Sequence, residues 1–219
     1  MPNITVDIES IPDQREGAME DLIASISAPK NYKDPEKIAD YIVDKAASVY
    51  EEAGLHGISG EICSIAWAID DGEIIGNCRH SDTSEAWLIK HFLDCIEQET
   101  QTGQGRFPRI TWIGHNLEFD LRFIKQRCLI NNIRPTFLIP ADARHGSDSF
   151  FCTQKEWAGW KGYVSLDALA KAFGFEGKGD MSGADVWPAY KAGEYEKIRQ
   201  YNIADVELTR KIYRRMTWQ

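Results

Sequence analysis

Basic residues are in short supply. The chain of 219 residues carries 25 Lys and Arg against 34 Asp and Glu, a formal net charge of −9. That balance argues against a protein that grips nucleic acid by a broad basic face, but not against a small site whose charge is set by bound cations. Cysteine is sparse as well. Cys63, Cys78, Cys95, Cys128 and Cys152 are odd in number and scattered, with no C-x-x-C pair, so neither a zinc ribbon nor a disulfide framework is indicated. A reducing, cytoplasmic setting is the simplest expectation. The five histidines are equally dispersed, with no H-E-x-x-H. Any metal would therefore take oxygen ligands, which points to hard cations such as Mg²⁺ or Mn²⁺. No apolar run approaches the roughly 18 residues of a membrane span. Met1-Pro2-Asn3 lacks the basic-then-apolar pattern of a secretory signal, and no membrane partner is expected.

What is present suits a folded domain. Apolar residues make up 43% of the chain, and seven Trp, eight Tyr and nine Phe supply core material, which excludes disorder as the main state. Asn3 to Ile8 reads as a strand stopped by Pro12. Asp34-Pro35-Glu36 is a helix start, with Asp34 as N-cap, running to about Ala53. Glu61 to Ile69, the turn Asp70-Asp71-Gly72, and Glu73 to Arg79 form a hairpin. A helix from Ser84 to about Thr100, a strand Arg109–Gly114 and a helix from Leu117 to about Asn131 follow. Ser165 starts a helix through Phe173, and a last helix runs from Glu194 to about Met216. This order suits one α/β domain over residues 1–219, a mixed sheet with antiparallel hairpin strands, parallel strands and flanking helices, with residues 13–60 as a helical insertion.

Among so many acids, spacing alone says nothing. D-x-E occurs four times, at Asp7/Glu9, Asp34/Glu36, Asp71/Glu73 and Asp205/Glu207. The second pair sits in a helix start and the third in a turn, ordinary places for exposed acids. Asp7 and Glu9 instead end an apolar strand, where residues two apart share a face. Burying two like charges is costly, and a divalent cation removes the penalty. In Gly114-His115-Asn116-Leu117-Glu118-Phe119-Asp120, a strand meets a helix with Asn116 as a good N-cap. Asp120 either joins the same sheet edge or simply serves the helix dipole. Tyr201 and Asp205 share one face of the last helix. A rival Y-x3-D, Tyr163/Asp167, straddles a helix start, so its two residues need not share a face.

Taken in order, D-x-E on a strand, N-x2-F-D at a helix start and Y-x3-D in a late helix resemble the motifs of the DEDD 3′→5′ exonuclease superfamily. Gln200 stands where the histidine branch needs His, so the tyrosine branch is the match. The segments around Val164–Ala170, Gly177–Val186 and Tyr201–Val206 are similar to the predicted stand-alone polymerase-B-like exonucleases of bacteria and phages. Phe151-Cys152-Thr153 departs from the family, which usually has an Asp-leading segment there.

The resemblance implies a ribonuclease H-like fold and phosphodiester hydrolysis by two divalent cations, Mg²⁺ or Mn²⁺, roughly 3.5–4 Å apart. Asp7, Glu9 and Asp205 would hold one cation, and Asp7 and Asp120 the other. Tyr201, with an unperturbed pKa of about 10, would orient the attacking water rather than act as a base. Ser10 and Ile11 would contact the last nucleotide. Asn116 and Phe119 would shape its pocket, unless they merely cap and pack. Lys30, Lys33, Arg122 and Lys178 would meet phosphates or stay solvated. The expected substrate is the 3′ end of single-stranded DNA, released as nucleoside 5′-monophosphates. The alternatives are a ribonuclease trimming RNA 3′ ends and a catalytically inactive nucleic-acid-binding module.

Overall fold

Val, Ile and Thr dominate the first strand, and their branched side chains suit a pleated, half-buried surface. In the computed structural model, which describes residues 1–80, 82–100, 109–142, 146–177 and 179–219, the chain opens with β1 (Asn3–Pro12). The strand continues past Ile8 through Glu9 and Ser10, because Ile11 and Pro12 are buried and proline is tolerated at a strand end. Next come α1 (Ala18–Ser25), α2 (Pro35–Ala53), β2 (Gly60–Ile69), β3 (Ile75–Cys78), α3 (Glu85–Thr100), β4 (Thr111–Gly114) and α4 (Leu117–Ile130). After them lie β5 (Phe150–Cys152), α5 (Thr153–Ala158), α6 (Leu166–Ala172), α7 (Val186–Lys191) and α8 (Tyr195–Met216). Strand β5 and helices α1, α5 and α7 have at most eight residues, too few for a periodicity to stand out in the sequence.

The chain divides into two compact units, Ser10–Glu61 and Met1–Glu9 with Ile62–Gln219. Within the first, the Asp34 carboxylate accepts from the Glu36 N–H at 3.0 Å and Pro35 occupies the first turn of α2, as the sequence leads one to expect. The Tyr50 hydroxyl on α2 donates to the Asp13 carbonyl at 2.9 Å, and Arg15 pairs with Asp13 at 2.6 Å.

The sheet has the order β3-β2-β1-β4-β5. β2 and β3 are antiparallel, with Ser64 opposite Cys78 and Trp67 opposite Ile75. β4 runs parallel to both β1 (Thr5 beside Ile113) and β5 (Gly114 beside Cys152). The mixed sheet expected from the sequence is therefore present.

In the larger unit, alternation along the strands sorts the two faces. Val6, Ile8, Ile65, Trp67 and Trp112 join Leu88, Phe92 and Ile96 of α3 and Leu121 and Ile124 of α4 in the main core. Phe92 lies edge-on to Trp67 at 5.1 Å, a favoured aromatic geometry. The Arg127 guanidinium makes a two-pronged pair with Glu85 at 2.8 and 2.7 Å, and Glu85 also accepts from Asn131 and from the Ile62 N–H. These bonds compensate both buried charges and join α3, α4 and β2.

The opposite face of β2 and β3 carries small residues, Ser64, Ala66, Ala68 and Gly76, and receives α8 through Val206 and Ile203. A Cβ at Gly76 would lie 2.4 Å from Ile203 Cγ1, so the helix sits where only glycine leaves room. Leu208 and Ile212, further along α8, pack with Leu166 and Leu169 of α6. All five cysteines are free thiols, and burial pushes Cys78 up to about 12. Among the described residues no helix is long and apolar enough to cross a membrane.

Gly76→Ala should lower stability by about 1–3 kcal/mol, the usual cost of overpacking. Adding Ile203→Ala, which removes both Cγ1 and Cδ1, should make the double variant lose less than the sum of the two single losses. Urea unfolding of the two single variants and the double variant checks this, and purely additive losses would show that Gly76 and Ile203 do not meet.

Candidate active site

The site begins where β1 delivers two acids to one face. Val6 and Ile8 point into the main core, so the alternate residues Asp7 and Glu9 emerge on the face that carries α8. Asp205, buried on α8, completes a group in which one oxygen from each of Asp7, Glu9 and Asp205 lies within 4.8 Å of the others. Such an all-oxygen set is suited to a hard divalent cation.

Asp120 arrives by the turn between β4 and α4. Gly114 passes so close to its neighbours that a Cβ there would lie 2.7 Å from Leu117 Cδ1 and 3.2 Å from the Val6 carbonyl oxygen. Asn116 then takes a left-handed conformation (φ 63°), which asparagine tolerates better than most residues. It does not cap the helix with its side chain, contrary to the sequence reading. Its side chain is instead exposed and lines a cavity of about 550 Å³ together with Tyr201.

Asp120 is not one of the three clustered carboxylates, but it is buried beside them, and its Oδ2 has no hydrogen-bond partner. Burial, then the charge of Asp7, and further Cys152, Glu9 and Asp205 hold its carboxyl well above the usual carboxylate range. Tyr201 hydrogen-bonds Asp205. Its hydroxyl is raised far above the ordinary tyrosine range, first by burial and then by the charges of Glu9, Asp205 and Asp7.

Asn202 is the residue that sequence reading missed. Fully buried one position after Tyr201, it donates from Nδ2 to Asp7 Oδ2 at 2.6 Å and accepts at Oδ1 from the Ser64 hydroxyl at 2.8 Å. The carboxylate can only accept, which fixes the orientation of the amide. An isolated Asn in a helix carries no signal. Only its position beside the Y-x3-D motif could have drawn notice.

The remaining candidates fall elsewhere. Phe119 packs against the main core and against Phe123 at 5.5 Å. Ser10 and Ile11 belong to the Ser10–Glu61 unit, where Ser10 is half-buried and Ile11 has no exposed surface. At the rival motif, Tyr163 is exposed, Asp167 pairs with Lys171 at 2.7 Å, and neither joins the carboxylate group. Arg122 pairs with Glu118 on its own helix. Lys30 and Lys33 are exposed residues of the smaller unit, and Lys178 lies outside the described residues.

Two outcomes follow from this geometry. Asn202→Ala removes the Asp7 donor and leaves the Ser64 hydroxyl with its longer bond to the Asn77 carbonyl. It should cost about 1–3 kcal/mol of stability and weaken Mn²⁺ binding about 10- to 100-fold, as loss of a ligand-orienting partner commonly does, read by urea unfolding and calorimetric titration. An acid whose folded pKa is raised binds its proton more tightly in the folded state. Its contribution is therefore full below the ordinary carboxylate range and is lost as pH rises towards the folded value. Asp120→Asn should thus raise the melting temperature in EDTA at neutral pH, with the gain shrinking towards pH 4, and a gain that does not change with pH would refute the assignment.

Residues 55–219 match the model of a family described as a predicted 3′-5′ exonuclease related to the exonuclease domain of PolB. Asp7 and Glu9 precede that span. No curated protein matches the chain. The family B DNA polymerase of the hyperthermophilic archaeon Pyrobaculum calidifontis has a similar structure, with a TM-score of 0.59 at 15% identity over 99% of this chain. The chain covers 24% of that polymerase's length, and the likeness is one of fold, a ribonuclease H-like α/β sheet flanked by helices. The span that matches the family model includes Asp120, Tyr201 and Asp205, and the chain belongs to the predicted 3′-5′ exonucleases related to the exonuclease domain of PolB.

Proposed function

We propose that this protein is a divalent-cation-dependent, tyrosine-type DEDD exonuclease that shortens single-stranded DNA from its 3′ end and releases nucleoside 5′-monophosphates. The observation that carries the reading is the convergence of Asp7, Glu9 and Asp205 oxygens within 4.8 Å, with Asp120 buried alongside. Four acids so close would repel one another without compensation, and two divalent cations bring their net charge to about zero. Asp7, Glu9 and Asp205 would hold one Mg²⁺ or Mn²⁺, Asp7 and Asp120 the other, and the bound pair would supply Lewis acidity and offset the charge of the leaving 3′-oxygen.

The chain's own residues do the positioning. Tyr201 keeps its proton at neutral pH, because its surroundings disfavour the phenolate. It therefore orients the attacking water by a hydrogen bond instead of abstracting a proton. Asn202 fixes the carboxylate that both cations would share. Asn116, on the cavity wall with Tyr201, presents an amide to the terminal nucleotide. Phe119, part-buried one turn of α4 beyond Asn116, remains a candidate for shaping that pocket.

Protein incubated with 5′-labelled single-stranded DNA and Mg²⁺ or Mn²⁺ should give a descending ladder that EDTA abolishes. Cuts in a closed circular single strand would refute the reading. RNA of the same sequence, degraded faster than DNA, would make the protein a ribonuclease. Asp7→Ala or Asp205→Ala should stop turnover, whereas Asp71→Ala, which loses only an exposed pair with Arg214, should not. Tyr201→Phe should slow single turnover about 10- to 1,000-fold, the range of positioned acid–base groups, with Mn²⁺ affinity little changed.

A further inference from the structure

From the end of α5 to the start of α6 the chain exposes three large aromatic side chains within seven residues, Trp157 (55% exposed), Trp160 (63%) and Tyr163 (80%). Exposed aromatic patches of this density mark binding surfaces more than ordinary protein surface. The segment holding them is fastened. Gly159 ends α5 at φ 74°, and a Cβ at Gly162 would lie 2.0 Å from the Ala158 carbonyl oxygen, so the turn admits no side chain there. The Lys155 ammonium donates to the Trp160 carbonyl at 3.0 Å and lies 5.6 Å from the Trp160 ring centre. At the far end, His115 Nε2 lies 2.9 Å from the Val164 carbonyl oxygen, tying the segment to the turn that carries Asn116. Trp157 rests edge-on against Phe173 at 5.4 Å.

Tyr163 brings this segment to the candidate site. Tyr163 lines the same cavity of about 550 Å³ as Tyr201, His115 and Asn116. Lys155 stands beside Trp160, and Lys161 is exposed next to it.

We propose that Trp157, Trp160 and Tyr163 form a stacking platform for the bases of a single-stranded nucleic acid whose 3′ end occupies the carboxylate site. The proposal rests on the exonuclease reading above and adds the path of the strand. Every base has a π-face, so such a platform tolerates all sequences. It also explains how a chain of net charge −9 would retain a polyanion: stacking carries the affinity, with Lys155 and Lys161 as the local counter-charge. Two such phosphate contacts give a slope of log affinity against log salt of only about −1.4 on a single strand.

The test is the anisotropy of fluorescein-labelled dT12 and dT3 binding in Ca²⁺, read before any product forms, for wild type, Trp160→Ala, Tyr163→Ala, the double variant and Trp218→Ala. Trp218 is 92% exposed next to α8's last turn, close to the Phe173 that Trp157 rests on, and reports whether any exposed tryptophan nearby has the same effect. Each platform variant should weaken dT12 about 5- to 150-fold, matching loss of one stacked base. The shorter dT3 should lose less, and Trp218→Ala should behave as wild type. Wild-type affinity for dT12 in the double variant would overturn the platform while leaving a working exonuclease intact. Loss of binding in the variants of a protein that degrades no strand would overturn the exonuclease reading and keep the platform. A wild type that self-associates through these residues, lost in the double variant and unaffected by dT12, would make the patch a protein contact and overturn the proposal.

Discussion

Everything at the carboxylate site depends on how closely α8 lies against the sheet. Ser64, Ala66 and Ala68 on β2 and Gly76 on β3 keep that face low, and Ile203 fills the space a side chain at Gly76 would take. At this separation the Asn202 amide spans from the Ser64 hydroxyl to the Asp7 carboxylate with two short hydrogen bonds. A larger residue at any of these positions would lift the helix and carry Tyr201 and Asp205 away with it. Close packing is unforgiving on the scale of a methylene, so the small-residue face acts as a spacer as well as a packing surface.

The electrostatics of the site run against ordinary protein construction. Buried carboxylates normally find cationic or hydrogen-bonding partners, and elsewhere in this chain they do: Glu85 has Arg127, Asn131 and the Ile62 N–H. Asp120 is surrounded mainly by other acids. The contrast separates a charge satisfied by the fold from acids that the fold leaves close to one another. Perturbed acids in a cleft are a recognised mark of functional sites, and the perturbation of Asp120 comes from the neighbouring acids as well as from burial.

Much of this was legible in the sequence. The hairpin, the four long helices α2, α3, α4 and α8, and the Asp34 cap follow from periodicity and turn chemistry. The convergence of Asp7 and Glu9 follows from the two-residue repeat of a strand, and the shared face of Tyr201 and Asp205 from the four-residue repeat of a helix. What stayed hidden depends on tertiary approach. Asn202 matters only because Ser64 is small and opposite, and Asn116 turns left-handed because Gly114 must slip past Leu117 and Val6. The three residues of β5 are strand only through pairing with β4. The burial of Ile11 was likewise invisible, since a residue following a strand acid reads equally as a ligand contact or as core.

The Asn202–Asp7 bond joins residues 195 positions apart. Closing a loop of that span costs more entropy than a local contact does. The proposed hydrolytic centre draws on both ends of the chain. A chain that has built its hairpin and its α3–α4 core but has not yet seated α8 holds Asp7, Glu9 and Asp120 without Tyr201, Asn202 or Asp205. The residues proposed to act together are thus brought to one place by the tertiary fold alone, through the seating of α8 beside the strand that carries Asp7 and Glu9.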